Sequence, residues 1–203
     1  MQTSFDAQQR LLKAWPYIVQ ECRQVLGSEL FYQALVYHCL RTYAQVPLEQ
    51  LGMNVKMYIA NPVSDLFKIY DVRKHEDYRG GFEPIPDVCF FSSQVNADWR
   101  RRDPEKTLKA LLLAIEIKAS ERDKGRLSEK NITDDILKLV AHKQEANARG
   151  SDFLPVMLVI DTAPLKNERM TAKSMLAAKK IAQELQVGFL YVSPDEVINT
   201  LSA

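Results

Sequence analysis

The segment from Leu111 to Ala119 is apolar throughout except at Glu116 and Lys118. A short run of this kind, bounded by polar stretches, reads as a central β-strand buried on both faces. Residues two apart in a strand share a face, so Glu116 and Lys118 point to one side and Ile115 and Ile117 to the other. Burying charge without a partner costs several kcal/mol, so these two groups must sit at a strand end, pair with other charges or bind a metal.

The rest of the chain is read around that strand. Leu11, Leu12, Trp15, Ile18, Val19 and Cys22 recur at helical spacing from Asp6 to Gln24, and Ser28 caps a second helix running to about Tyr43, with Glu29 in its first turn. After Pro47 and Gly52, the alternation of Val55, Met57 and Ile59 predicts a strand, and Leu66 to Tyr70 a second short one. The polar stretch from Val72 to Glu83, with Gly80-Gly81, is a loop or hairpin connection, and Val88 to Phe91 is a short buried strand entered through Pro86. A polar, arginine-bearing segment runs from Asn96 to Lys109. Beyond the central strand the pattern alternates: a helix capped by Thr133 and ended by Gly150, a strand from Val156 to Asp161, a helix from Thr171 to Gln186 and a strand from Phe189 to Val192. Such alternation implies parallel crossovers, whereas the first half reads as an antiparallel meander. The expected fold is therefore α/β with a mixed central sheet flanked by helices. Ser193-Pro194-Asp195-Glu196 has the form of a capping box with proline at N1.

Composition narrows the class. The chain has 203 residues and a formal net charge of +1, with ordinary fractions of apolar and charged residues, so a single domain over residues 1–203 is expected, residues 1–27 being a helical extension. The apolar runs are far too short to cross a bilayer and the N-terminus lacks a signal-peptide pattern, which together predict a cytoplasmic protein. Cys22, Cys39 and Cys89 are odd in number, widely spaced and set among apolar neighbours, hence buried thiols rather than a disulfide framework or a zinc cluster. His38, His75 and His142 lack metal-ligand spacing. Phe31, Tyr32, Phe90, Phe91 and Tyr191 fall in regular elements as core residues. The chain contains no GxxxxGK[ST], GxGxxG, HExxH or GxSxG, which removes the commonest nucleotide-binding, metalloprotease and hydrolase readings.

The chemistry rests on Asp87, which stands at the head of the Val88 strand. Beside Glu116 it would offer hard oxygen ligands to an octahedral cation that keeps several waters, and magnesium fits that description, with manganese as a substitute. Pro86-Asp87 followed by Glu116-Ile117-Lys118 in an apolar strand resembles the PD-(D/E)xK nuclease superfamily. The resemblance implies a restriction-endonuclease-like core of α-β-β-β-α-β order, preceded here by an extra helix. It further implies Asp87, Glu116, Lys118 and Glu29 as catalytic positions, and Asp87, Glu116 and Ile117 as those that hold the metal. Asp135 and Lys138 fall on the helix that follows the strand.

For these residues the competing structural role is a strand end with a lateral ion pair, and Lys138 could form an ordinary surface pair with Asp134. A Glu-x-Lys alone occurs roughly once by chance in a chain of this size, so order and strand context carry the weight. Arg122, Lys124, Arg126 and Lys138 are candidate contacts to nucleic acid, as are Arg100, Arg101 and Arg102 beside Trp99. The expected function is metal-dependent hydrolysis of phosphodiester bonds, with DNA as partner, by an endonuclease of restriction or repair type. A second copy of the chain would be the economical way to cut both strands. The alternative is a catalytically inactive member of the fold that binds DNA or serves in assembly.

Overall fold

A computed structural model describes residues 1–76, 79–98, 103–121 and 125–201. Among them, strand β5 (Leu111–Ala119) lies inside a six-stranded sheet of order β1-β4-β5-β6-β7-β8. Strands β1 (Leu51–Met53) and β4 (Val88–Phe91) run antiparallel to their neighbours up to β5, whereas β6 (Leu154–Ile160) and β7 (Gly188–Val192) continue parallel to it. Strand β8 (Val197–Asn199) closes the sheet antiparallel to β7. The molecule is thus α/β with a mixed sheet flanked by helices.

Strand periodicity divides the core in two. Val88, Phe90, Leu113, Ile115, Ile117 and Leu158 face helices α1 (Ser4–Cys22) and α2 (Glu29–Thr42). Cys89, Ala114, Met157, Val159 and Phe189 face helices α3 (Asp65–Val72), α5 (Glu129–Ala148) and α6 (Ala172–Glu184), with helix α4 (Pro104–Ala110) at the near end. Each fully buried Leu, Ile, Val or Phe contributes about 1.5–3 kcal/mol. The three cysteines are free and buried. No described helix is long and apolar enough to cross a membrane.

Several local expectations are corrected. Leu66 to Tyr70 is helical: Leu66, Phe67 and Tyr70 turn to the core at helical spacing while Ile69 stays exposed. The alternation of Val55, Met57 and Ile59 is real, since all three are buried, but only β2 (Ile59–Ala60) pairs as a strand, with β3 (Gly81–Phe82). Asn54 takes a left-handed φ of 53° that ends β1. The facing segment contains Pro84 and Pro86, which have no N–H to complete a ladder, so Met57 N–H donating to the Pro84 carbonyl at 3.2 Å is what pairing there allows. Helix α5 begins earlier than expected, because Ser128 rather than Thr133 accepts the capping bond, from Asn131 N–H. Asp103 caps α4, a helix that the polar, arginine-bearing segment did not announce. Ser193 does accept the N–H groups of Asp195 and Glu196, at 3.3 and 3.0 Å, but its bonds close a turn into β8 rather than open a helix. Phe31 is exposed, not core.

The insert between β1 and β4, made of β2, α3 and β3, stands outside the main sheet and is tied to α5. Glu145 is fully buried and accepts from Val63 N–H at 2.9 Å and Ser64 N–H at 2.7 Å, while Arg149 pairs with it at 2.6 Å and donates to the Ala60 carbonyl at 2.9 Å. Burial pushes the Glu145 carboxyl up, but these donors outweigh it and hold it below its ordinary value. Replacing Glu145 by alanine leaves two backbone donors and a guanidinium without their acceptor. Urea unfolding of Glu145→Ala is expected to show a loss of about 3 kcal/mol; unchanged stability would contradict the docking role.

Candidate active site

Asp87 immediately precedes β4. The antiparallel register that pairs Val88 with Ile115 and Cys89 with Ala114 continues by one step to set Asp87 opposite Glu116. The ladder between these strands stops at Val88, which leaves the Ile117 N–H without a backbone acceptor from β4. Asp87 Oδ2 takes that N–H at 2.6 Å, and its Oδ1 accepts from Gln33 Nε2 at 2.7 Å. Gln33 is in turn oriented by Asn54, whose Nδ2 donates to Gln33 Oε1 at 3.0 Å and whose backbone N–H donates to the Asp87 carbonyl at 3.0 Å. Asn tolerates the left-handed conformation this position requires.

Glu29 and Gln33 lie four residues apart on α2, hence on one face of that helix, and both reach the same end of the sheet. Glu29 Oε1 is 3.0 Å from Lys118 Nζ. From the opposite layer Asp135 on α5, only 4% exposed, brings Oδ2 to 3.1 Å from Lys118 and accepts from Lys138 Nζ at 2.7 Å through Oδ1. Glu29, Lys118, Asp135 and Lys138 thus alternate in sign around the end of β5. Glu116 stands apart: it is half-buried and accepts no hydrogen bond among the described residues.

Four carboxylates therefore face two ammonium groups. Burial, reinforced by Glu29 and Asp135, pushes the Asp87 carboxyl up to about 6 despite the Ile117 N–H and the Lys118 charge. Burial, then repulsion from Asp87 and Asp135, raises Glu116 well above the ordinary carboxyl range, against the opposing pull of Lys118 and Lys138. Burial pulls the Lys118 ammonium down, but Asp135 and Glu29 more than compensate and hold it above the usual lysine range. Lys118, Asp135 and Lys138 line two cavities. One, of about 390 Å³, includes Glu29, Ser120, Arg126 and Asn131. The other, of about 250 Å³, includes Glu116.

Of the residues singled out from sequence, Asp87, Glu116, Lys118 and Glu29 are brought together. Ile117 buries its side chain on the α1 and α2 side, so only its main chain reaches the site. Lys138 joins through Asp135, three residues before it, rather than through Asp134. Arg126 lines the larger cavity but donates to the carbonyls of Asn167 and Lys166, at 3.1 and 3.5 Å. Arg122 and Lys124, like Trp99, Arg100, Arg101 and Arg102, lie outside the described residues. Gln33 and Asn54 were not anticipated; a signal was present in the four-residue spacing of Gln33 from Glu29. Among the described residues no group of three or more His, Cys, Asp or Glu is placed to hold a metal ion. Asp87 and Glu116 are the opposed pair that could hold a divalent cation: among the described residues Glu116 accepts no hydrogen bond, and the neighbouring Asp87 raises its carboxyl.

The sign of the resulting pH dependence follows from the direction of the shifts. A carboxyl that binds its proton more tightly in the folded chain costs nothing below the unfolded value, ordinarily 4.5 for Glu116, and costs stability as pH rises above it. Glu116→Gln cannot ionise and loses no hydrogen bond. Thermal unfolding at pH 4 and pH 8 is therefore expected to give similar stabilities at the lower pH and a gain of about 1 kcal/mol or more for the variant at the higher. A variant less stable than the parent at pH 8 would overturn this account of Glu116. No protein-family model, curated protein or solved structure matches the chain.

Proposed function

We propose that this chain is a divalent-metal-dependent nuclease of the restriction-endonuclease-like fold that hydrolyses phosphodiester bonds in DNA. The observation that carries the reading is the carboxylate pair across β4 and β5, with Glu116 lacking a donor among the described residues and opening onto a cavity, and Lys118 two residues further on the same face. The succession α2, β1, β4, β5, α5, β6 supports it, since the resemblance implies the same order of elements.

In this reading Asp87 and Glu116 hold magnesium or manganese, with Ile117 contributing its main chain. The bound ion would supply a Lewis acid for the phosphate and a water of lowered pKa. Gln33 and the Ile117 N–H fix the Asp87 carboxylate in place before any ligand arrives. Lys118 is kept charged by Asp135 and Glu29, so at neutral pH it has no free lone pair with which to take a proton from water. Its role is to donate hydrogen bonds and positive charge to the phosphate as negative charge develops. Asp135 shares its charge between Lys118 and Lys138 and sets the spacing of the two cations along the cavity wall.

Cleavage of plasmid and oligonucleotide DNA is expected in magnesium or manganese and not in chelator. Glu116→Gln and Lys118→Ala are each expected to lower the rate by about 100-fold or more while the fold survives. Full activity in both variants would sink the proposal. The containment of Lys118 between Glu29 and Asp135 favours, as a second reading, a protein that binds DNA without cutting it. Calorimetric titration separates the two: manganese binding that Glu116→Gln removes supports the nuclease, and DNA affinity indifferent to the metal supports the binding protein.

A further inference from the structure

We propose that Asn54 and Gln33 form a relay of positioning residues that sets the affinity of the metal centre from the root of the β2-α3-β3 insert, by fixing the direction in which Asp87 meets a divalent cation. The proposal rests on the reading of Asp87 and Glu116 as the residues that hold the metal, and it assigns Asn54 a role exerted only through its neighbours.

A carboxylate accepts on both oxygens, and turning it about its last bond changes what each oxygen faces. The Ile117 N–H holds Asp87 Oδ2 at 2.6 Å, but a single bond leaves the group free to pivot about that contact. The second bond, from Gln33 Nε2 to Oδ1 at 2.7 Å, stops the pivot. Gln33 is only 6% exposed, so its amide is shielded from water that could take the place of Asp87.

What Gln33 offers Asp87 depends on which way its amide is turned. One side of the amide donates and the other accepts, so the reversed orientation would set oxygen against carboxylate. Asn54 reinforces the productive orientation: its Nδ2 donates to Gln33 Oε1 at 3.0 Å, which draws the Gln33 oxygen away and leaves the Nε2 donor on Asp87. The backbone N–H of the same residue donates to the Asp87 carbonyl at 3.0 Å. Asn54 thus holds the main chain of Asp87 directly and its side chain through Gln33. Its left-handed φ of 53° carries the chain out of β1 towards the insert, and its side chain is exposed, so removing the amide opens no cavity in the core. A cation binds best to a carboxylate that needs no reorientation, and loss of the groups that orient a metal ligand typically costs about 10–100-fold in affinity.

The test is calorimetric titration of the full chain with manganese, for the parent, Gln33→Met, Asn54→Gly and the double variant, with thermal unfolding as the check on folding. Methionine keeps the length of Gln33 without its donor. Glycine adopts a positive φ without strain, so Asn54→Gly keeps the backbone bond to Asp87 and loses the amide alone. Gln33→Met is expected to bind manganese about tenfold more weakly or worse, and Asn54→Gly to show a smaller loss. The double variant is expected to be no weaker than Gln33→Met, because Asn54 acts only through Gln33; two independent structural losses would multiply instead. Unchanged affinity in Gln33→Met, or losses that multiply, overturns the relay and leaves the metal centre standing. Asn54→Gly, on the surface, decides by itself where Gln33→Met does not fold: an affinity equal to that of the parent overturns the relay. A parent that binds no manganese removes the metal reading and the relay with it.

Discussion

The site depends on where the β4–β5 ladder stops. Had the two strands paired one residue further, the Ile117 N–H would be spent on a backbone carbonyl and Asp87 would be one more strand residue. The Pro86 ring, which cannot donate, brings β4 to its start at this point. The Asp87 carboxylate then replaces the missing rung, and that bond fixes the acid beside Glu116. A local defect in pairing is thereby converted into a rigidly placed ionisable group.

Around this point the sheet acts as a partition that ends. Helices α2 and α5 pack on opposite faces and could not touch through β5, yet a side chain from each reaches Lys118 near its end. Glu29 comes from one layer and Asp135 from the other, and Lys118 lies between them. The ammonium therefore reports on both layers at once. The remaining carboxyls are Asp87 and Glu116, where burial and repulsion from neighbouring carboxylates make ionisation costly. A cation is the simplest agent that could relieve that cost without rearranging the fold.

Much of this was legible in the residues. The apolar run with charges at Glu116 and Lys118 announced a buried strand whose two charges must be accommodated, and the change from meander to alternating elements announced the mixed sheet. Short segments failed for definite reasons. Five residues from Leu66 to Tyr70 are too few to separate period 2 from period 3.6, and tertiary packing decided for the helix. Val55, Met57 and Ile59 alternate as a strand does, but the prolines opposite them removed the donors a ladder needs. Gln33 and Asn54 could not be found from local pattern, because what makes them matter is a contact across the fold with Asp87. Asp135 was visible as a helix residue, but its position between two lysines depends on how α5 crosses the end of β5.

The tether between Glu145 and the insert has a consequence for how such a protein can diverge. The β2-α3-β3 unit enters and leaves the chain between neighbouring strands β1 and β4, whose pairing does not pass through it, and it is fastened to α5 by one carboxylate, one guanidinium and the apolar packing of Ile59 and Phe67. Its length and sequence can therefore drift while the paired strands and the charged cluster stay constant. The insert is in this sense a replaceable wall, and the paired strands with their charged cluster are the frame against which it rests.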